Sequence, residues 1–157
     1  MQLQNLIVKS LCFAEVEVED HEEIIGYLSK QLYQKGYVKE KFEQEVIKRE
    51  NVFPTALPTT GYKVAIPHTD SEYVNKSVIA IASLKNPVLF NVMGSPKEEL
   101  PVSVVFLLAI KEKEKQVEII SQLLEKIIKD DYLMGKLAES RSGEEVYRII
   151  NERIVRE

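Results

Sequence analysis

The chain is poor in the residues that build disulfide frameworks and metal centres. Its 157 residues include one cysteine, two histidines and no tryptophan. The single cysteine, Cys12, excludes an internal disulfide and indicates the reducing cytoplasm. The two histidines, His21 and His68, have no close spacing to each other or to Cys12, which argues against a zinc site. We therefore expect neither a bound metal nor another cofactor.

Long apolar runs are also missing. No stretch approaches the roughly 20 residues that cross a bilayer, so no membrane insertion is expected. The segment Met1–Ser10 has Lys9 behind its apolar residues and no cleavage site, which is not the pattern of a signal peptide. The formal net charge of −4 argues against nucleic acid as a partner, because phosphate binding needs a clustered basic surface.

Several common catalytic motifs are absent as well. The sequence has no G-x-S-x-G turn for a serine nucleophile, no phosphate-binding loop and no dinucleotide fingerprint. What is present is 45% hydrophobic and 29% charged residues, the balance of a globular protein. No repeat, low-complexity tract or linker divides the chain, so we expect one domain over residues 1–157.

Apolar patterning predicts an α/β fold. Alternation predicts a strand over Leu11–Val18, and near-continuous apolar composition predicts a strand over Leu100–Ala109 that is buried on both faces. The other predicted elements are strands at Val78–Leu84 and Val88–Val92 and helices at Asp20–Gly36, Lys39–Arg49, Lys111–Lys129, Asp131–Ala138 and from Ser142 onward. Because strands and helices do not alternate strictly, we expect a mixed β-sheet with helices on both faces.

The segment Val52–Lys63 differs from its surroundings because prolines and threonines interrupt regular structure there. It is predicted to be a long loop, and it leads directly into a short apolar run that ends in Pro67 and His68. Proline stops a strand, so the next side chain is left at the strand's end. Imidazole is a nucleophile and a proton carrier near neutral pH. The same position also suits a histidine that only bonds to backbone, and the local sequence leaves both interpretations open.

Three other positions have a structural and a functional interpretation each. Arg49 is either a solvated residue at a helix end or a guanidinium that binds phosphoryl oxygens. Thr55 either supplies turn chemistry or donates a hydroxyl to a bound group. Cys12 lies between Leu11 and Phe13 without a glycine or serine cluster, which favours a core residue over a reactive thiol.

A set of residues in fixed order resembles the active-site signature of a known family. The resembling segments are Arg49-Glu50, Pro54-Thr55-Ala56-Leu57, Gly61 and Val64-Ala65-Ile66-Pro67-His68-Thr69-Asp70. The family is that of the enzyme IIA domains of the bacterial phosphoenolpyruvate-dependent sugar phosphotransferase system, in its fructose/mannitol superfamily and galactitol-like branch. The resemblance covers nearly the whole chain, including the late strand and the helix that follows it.

The resemblance implies a cytoplasmic phosphocarrier. It implies that His68 accepts a phosphoryl group from phospho-HPr on Nε2 and passes it to a cysteine of enzyme IIB, which links the chain to a membrane transporter. It also implies that Arg49 lies beside the histidine and that Thr55 supports the phosphoryl group or the ring. A regulatory domain of the nitrogen type, which senses phosphorylation state, is the alternative function.

The chain departs from the family pattern in three ways. Several members carry a second histidine where this chain has Gln116, which can donate a hydrogen bond but cannot carry imidazolium charge. Galactitol-like members share this departure. Lys63 stands where many members have glycine, and the preceding loop is longer by Pro58-Thr59-Thr60. Gln116 is therefore a candidate phosphate-supporting residue, and Lys63 is either a surface lysine or a second basic contact.

Overall fold

The structure is a computed structural model that describes residues 2–155. The expected domain 1–157 therefore extends beyond the described part by Met1, Arg156 and Glu157. Five strands form one sheet: β1 (Ile7–Val16), β2 (Ala56–Leu57), β3 (Lys63–Ala65), β4 (Val78–Val92) and β5 (Ser95–Ala109). Five α-helices surround it: α1 (His21–Gln34), α2 (Phe42–Val52), α3 (Gln116–Leu123), α4 (Asp131–Ala138) and α5 (Gly143–Val155).

The sheet is mixed, as the sequence predicted. Its order is β1-β4-β2-β3-β5, with β4 also paired to β5. Strands β4 and β5 form a long antiparallel hairpin whose turn contains Gly94 at a φ of 80°. Strand β1 runs parallel to β4, and β3 runs parallel to β5. The short strand β2 is antiparallel to β3 and pairs in parallel with the end of β4, where Ala56 lies opposite Val92.

Helices cover both faces of the sheet, which confirms the predicted fold class. Residues of β5 alternate between two separate hydrophobic clusters, so this strand is buried on both faces. Val104, Phe106 and Leu108 pack with α3, α4 and α5. Val105, Leu107 and Ala109 pack with α1 and α2. In the described residues, no helix has the length and apolar character needed to cross a membrane.

Helix starts follow the predicted caps. The Asp20 side chain accepts a hydrogen bond from the Glu23 N–H at 2.9 Å, and the Ser142 hydroxyl accepts one from the Glu145 N–H at 3.1 Å. Each satisfies a backbone donor that a helix leaves unpaired at its first turn. These two bonds confirm α1 and α5 as helices that the sequence itself initiates.

Several predicted boundaries were wrong. Strand β5 begins at Ser95 rather than Leu100, and α2 spans Phe42–Val52 rather than Lys39–Arg49. Strand β1 runs from Ile7 to Val16 rather than over Leu11–Val18, and its outer end is distorted at Glu15, which has a φ of 53°. The predicted strands at Val78–Leu84 and Val88–Val92 form a single strand, β4, because a bulge between Ser83 and Val88 absorbs Pro87 without ending the strand.

Two further boundaries that differ lie beside the segment that leads to His68 and after β5. The predicted loop Val52–Lys63 begins inside α2 and contains β2, whose pairing to β3 was not visible in so short a segment. The helix predicted over Lys111–Lys129 starts with a 3₁₀ turn, becomes α3 at Gln116 and ends in a π-helical turn over Leu124–Ile128.

Gly143 allows α5 to approach β1 closely. A Cβ atom at this position would lie 2.0 Å from the Cys12 carbonyl oxygen, so the helix or the strand would have to move. We expect Gly143→Ala to lower the free energy of unfolding by about 1–3 kcal/mol, the usual cost of overpacking. Urea denaturation measures this change.

Gly135→Ala is the matched control for that substitution. Its added Cβ would meet only the Tyr62 ring, at an ordinary contact distance of 3.9 Å. Because Gly135 lies within α4, alanine there should be neutral or stabilising by up to about 1 kcal/mol. Equal effects of the two substitutions would contradict the proposed clash at Gly143.

Candidate active site

His68 lies just beyond β3, at the edge where the chain leaves the sheet. The Leu108 N–H donates a hydrogen bond to the Pro67 carbonyl at 3.0 Å, and His68 forms an isolated parallel bridge with Leu108. Pro67 has no N–H to offer the ladder, so regular pairing stops there. The imidazole is left partly exposed at the strand end. This is the placement that the sequence predicted.

The imidazole of His68 is held in one tautomer. Its Nδ1 lies 2.8 Å from the Ile66 carbonyl oxygen. A carbonyl oxygen only accepts hydrogen bonds, so Nδ1 carries the proton. In the neutral ring, Nε2 then has the free lone pair. The backbone therefore selects Nε2 as the nucleophilic atom.

The pKa of His68 is lowered from its ordinary value of 6.5. Burial of the ring is the largest cause, and the positive charge of Arg49 acts in the same direction. The hydrogen bond to Ile66 and the negative charge of Asp70 oppose the shift. The ring is consequently neutral at pH 7, and its Nε2 lone pair is available.

We expect NMR titration of the His68 ring to give a pKa below 6.5. Because the folded-state pKa is depressed, the stabilisation from neutral His68 is complete above pH 6.5 and is lost as pH falls through the folded pKa. Reactivity of Nε2 should fall over the same range. A titration midpoint above 6.5 would contradict both the burial of this ring and the influence of Arg49.

Arg49 lies in the last turn of α2, where it borders the cleft beside His68. This cleft has a volume of about 210 Å³ and is lined by Glu45, Lys48, Arg49, Val52, Phe53, Thr69 and Asp70. The Arg49 guanidinium carbon lies 5.4 Å from the centroid of the Phe53 ring, so the side chain is held by a cation–π contact. Its Nε is buried and has no hydrogen-bond partner. A buried donor without a partner is available for an anionic ligand.

Thr55 and Glu50 form a buried pair behind His68. The Glu50 carboxylate accepts hydrogen bonds from the Thr55 N–H and the Thr55 hydroxyl, both at 2.8 Å. The Thr55 hydroxyl oxygen in turn accepts a bond from the Ile66 N–H at 3.2 Å. Thr55 is therefore occupied on both sides, and its hydroxyl is aimed at protein groups rather than at the cleft.

Gln116 reaches the segment that follows His68 from the other side of the sheet. Its Nε2 donates a hydrogen bond to the Thr69 carbonyl at 2.9 Å. The side chain joins the start of α3 to the residue after the histidine, and Thr69 itself is buried. Gln116 thus fixes the exit of the His68 segment, as Thr55 fixes its entry.

A family model matches this chain over residues 5–153, under the description "Phosphoenolpyruvate-dependent sugar phosphotransferase system, EIIA 2". The chain belongs to this EIIA family. The match includes every residue of the site described above, and it confirms the resemblance that the sequence motif indicated. The family is a phosphoryl-transfer component of that system.

Curated relatives of this EIIA chain have two kinds of name. The transcriptional regulator ManR of Bacillus subtilis (strain 168) is 33% identical over 114 residues, which are 73% of this chain and only 16% of the regulator. The galactitol-specific EIIA component of Escherichia coli (strain K12) is 26% identical over 129 residues, 82% of this chain and 83% of that protein. The chain thus spans about a sixth of the regulator but most of the galactitol component.

A solved structure supports the fold of the EIIA chain. The complex of enzyme IIAMTL and phosphorylated enzyme IIBMTL from Escherichia coli matches with a TM-score of 0.70 and 20% identity, covering 97% of each chain. At this identity the match concerns the fold alone. It agrees with the observed mixed sheet and its helical layers.

Lys63 of the EIIA chain lies away from the site. It pairs with Val102, whereas His68 pairs with Leu108, six residues further along β5. Its Nζ donates to the Thr59 carbonyl, and its side chain borders a different cavity of about 470 Å³ near Pro87 and Pro101. Of the two interpretations of Lys63, the structure favours the surface lysine.

The apolar loop residues of the EIIA chain are divided between surface and core. Val52 and Phe53 are 60% and 62% exposed beside the cleft. Ala56 is completely buried, and Leu57 packs against the core. The first pair therefore lies at the surface and the second in the core.

Cys12 is a core residue, as the sequence favoured. Burial raises the pKa of its thiol to about 12, so the reactive thiolate is not formed at neutral pH. Within residues 2–155, no three His, Cys, Asp or Glu side chains are arranged to hold a metal ion. The sequence gives no sign that Glu50 is buried. It follows Arg49 in the family-like segment, but nothing in the local pattern distinguishes its carboxylate from a solvated one.

Proposed function

We propose that the chain is a phosphocarrier whose His68 accepts a phosphoryl group on Nε2. The observation that supports this most directly is the Nδ1 bond to the Ile66 carbonyl at 2.8 Å, which leaves Nε2 as the free nitrogen of a half-buried side chain. Family membership supplies the reaction class. The proposed donor is phospho-HPr, and the proposed acceptor is a cysteine of enzyme IIB.

Both proposed transfers balance without a metal ion. The Nε2 lone pair attacks phosphorus, the N–P bond of the donor phosphohistidine breaks, and the donor imidazole leaves with that electron pair. In the second step a cysteine thiolate attacks the same phosphorus and the Nε2–P bond breaks, which restores neutral His68. Dividing one transfer into two covalent steps is ordinary nucleophilic catalysis. The lowered pKa of His68 keeps the nucleophile unprotonated at pH 7.

Arg49 is the proposed electrostatic partner of the phosphoryl group. Its charge lowers the pKa of His68, which places the guanidinium within electrostatic range of the ring, and its buried Nε has no partner. A planar guanidinium stabilises the charge on transferring phosphoryl oxygens. For Thr55 and Gln116 we propose a supporting role, since both use their side chains to hold the backbone on either side of His68.

The proposed partners follow from the relatives. One solved relative of this fold is a complex of an EIIA with phosphorylated EIIB, which supports docking to a IIB protein at the cleft. Exposed Val52 and Phe53 offer apolar contact area there. The galactitol-specific relatives support a sugar alcohol as the transported substrate of the complete system. We propose that the chain acts in the cytoplasm and reaches the membrane transporter through its IIB partner. We expect no nucleic-acid partner.

Reconstitution tests this function. The chain is incubated with radiolabelled phosphoenolpyruvate, enzyme I and HPr, and then with candidate IIB proteins. We expect labelling that is labile in acid and stable in base, located on His68 by mass spectrometry and removed by a IIB protein. Absence of labelling, or labelling on any other residue, would refute the phosphocarrier assignment.

A regulatory phosphorylation sensor is the second candidate. The relationship to ManR supports it, because a segment similar to this chain is part of a transcriptional regulator. The same reconstitution separates the two functions. Rapid transfer from His68 to a IIB protein favours transport, whereas labelling that no IIB protein removes favours regulation.

A further inference from the structure

A continuous hydrogen-bond path leads from Glu50 to the imidazole of His68. The Glu50 carboxylate holds the Thr55 hydroxyl at 2.8 Å, and that hydroxyl holds the Ile66 N–H at 3.2 Å. The Ile66 carbonyl then holds His68 Nδ1 at 2.8 Å. Both polar groups of Ile66 are therefore used, one toward Glu50 and one toward the histidine.

We propose that Glu50 is a positioning residue for His68, acting through Thr55 and the backbone of Ile66. Only the expected effect on the rate of phosphoryl transfer rests on the proposed phosphocarrier function. The residue itself does not touch the phosphoryl group. It fixes the carbonyl that selects the tautomer of His68 and leaves Nε2 as the free nitrogen.

The hydrogen-bond path to His68 needs, at position 50, a group that only accepts hydrogen bonds. Two donors of Thr55, its N–H and its hydroxyl, point at the two carboxylate oxygens of Glu50. An ionised carboxylate accepts both, whereas an amide has one accepting oxygen and one donating NH₂ group. Glutamine at this position would leave one Thr55 donor opposite another donor. The Thr55 hydroxyl would then turn away, and the Ile66 N–H would keep only its longer bond to the Thr55 carbonyl, at 3.4 Å.

Burial makes this carboxylate sensitive to pH. Glu50 is 4% exposed, and burial raises its pKa to about 7 against the opposing effects of Thr55, His21 and Arg49. His21 from α1 and Arg49 from α2 are the charged groups that act on it. Protonation of either carboxylate oxygen would place a donor opposite a Thr55 donor. The path is intact when Glu50 is ionised and is broken when it is protonated.

Glu50→Gln in the full chain is the test. We expect phosphoryl transfer to and from His68 to slow by about 10- to 100-fold, because small displacements of a reacting atom have effects of this size. Nitrogen-15 NMR should show a loss of the Nδ1-protonated tautomer of His68. The pH dependence of the transfer rate should lose an inflection near pH 7, where Glu50 titrates in the unmodified chain.

Asp130→Asn is the matched structural control. Asp130 also accepts a backbone N–H with one oxygen, that of Leu133 at 3.0 Å, and bonds to Arg153 with the other, but it lies at the far end of the helical segment that begins at Gln116. We expect it to lower stability without changing the tautomer of His68. If Glu50→Gln only lowers stability, as this control does, the positioning role is wrong.

Variants at Thr55 keep the inference testable if Glu50→Gln does not fold. Thr55→Val removes the hydroxyl and should reproduce the tautomer change and the slower transfer. Thr55→Ser keeps the hydroxyl and should retain the tautomer and the transfer rate of the unmodified chain. Unchanged tautomer and rate in Thr55→Val would overturn the proposal. If the unmodified chain accepts no phosphoryl group, the proposed function fails, but the tautomer measurement still decides the role of Glu50.

Discussion

Replacing His68 with alanine is expected to abolish phosphorylation of the chain. The Nδ1 bond to Ile66 reserves Nε2 as the nucleophile, and burial lowers the pKa of the ring so that this atom is unprotonated at neutral pH. Alanine removes both nitrogens. We expect labelling from phosphoenolpyruvate, enzyme I and HPr to fall to background, because the other histidine of the chain, His21, lies at the start of α1 and not at the end of β3.

Two variants control for folding and for histidine in general. His68→Gln keeps the approximate size of the side chain but has no nucleophilic nitrogen, so it should lose labelling and retain a cooperative urea transition. His21→Ala removes the other histidine of the chain, whose Nε2 lies 3.1 Å from Asn51 Oδ1, and should remain fully labelled at His68. Phosphoryl label that persists in His68→Ala would contradict the proposed mechanism.

Arg49→Ala is expected to have the second-largest effect. Removal of one preorganised charge or donor from a transition state costs about 10²- to 10³-fold in rate. We expect a fall of that order in the rate of transfer from phospho-HPr. The pKa of His68 should rise toward its ordinary value of 6.5 at the same time, since the charge of Arg49 lowers it.

Arg49→Lys separates charge from geometry. Lysine keeps the positive charge and should leave the pKa of His68 low, but it lacks the planar fork that binds two oxygens and the stacking on Phe53. The rate should therefore remain well below that of the unmodified chain. Lys41→Ala removes the same charge at the other end of α2, away from the residues that line the cleft, and should change the rate little. Equal rates for Arg49→Ala and the unmodified chain would remove Arg49 from the mechanism.

The fold could be predicted from the sequence to the extent that it depends on local apolar patterns. The apolar run around Phe106 predicted a strand buried on both faces, and its side chains do alternate between two clusters. Two predicted strands form the single strand β4, which the sequence did not indicate. Pro87 interrupts the local apolar pattern, but pairing to β5 continues before and after it. Likewise, β2 is two residues long and exists only through its neighbours.

The site could be predicted in part. A histidine after a strand-ending proline indicated where His68 would lie, and the family motif added Arg49, Thr55 and Gln116. The partners of these side chains could not be predicted, because they belong to residues distant in sequence or to backbone atoms. Gln116 contacts the carbonyl of Thr69, 47 residues away. The burial of Glu50 was missed because charged residues are almost always assigned to the surface.

The bond from His68 Nδ1 to Ile66 has a consequence for recognition. It involves the nitrogen that stays protonated whether or not Nε2 carries a phosphoryl group, so the ring has no reason to rotate between the two states. A partner protein that distinguishes phosphorylated from unphosphorylated His68 then recognises a difference in charge rather than in shape. Phosphorylation places about two negative charges on the phosphoryl oxygens, one of which is offset by the positive charge of a ring whose Nδ1 keeps its proton, at one point of a chain whose formal net charge is −4. The loaded and empty carriers would thus present one surface with two electrostatic potentials.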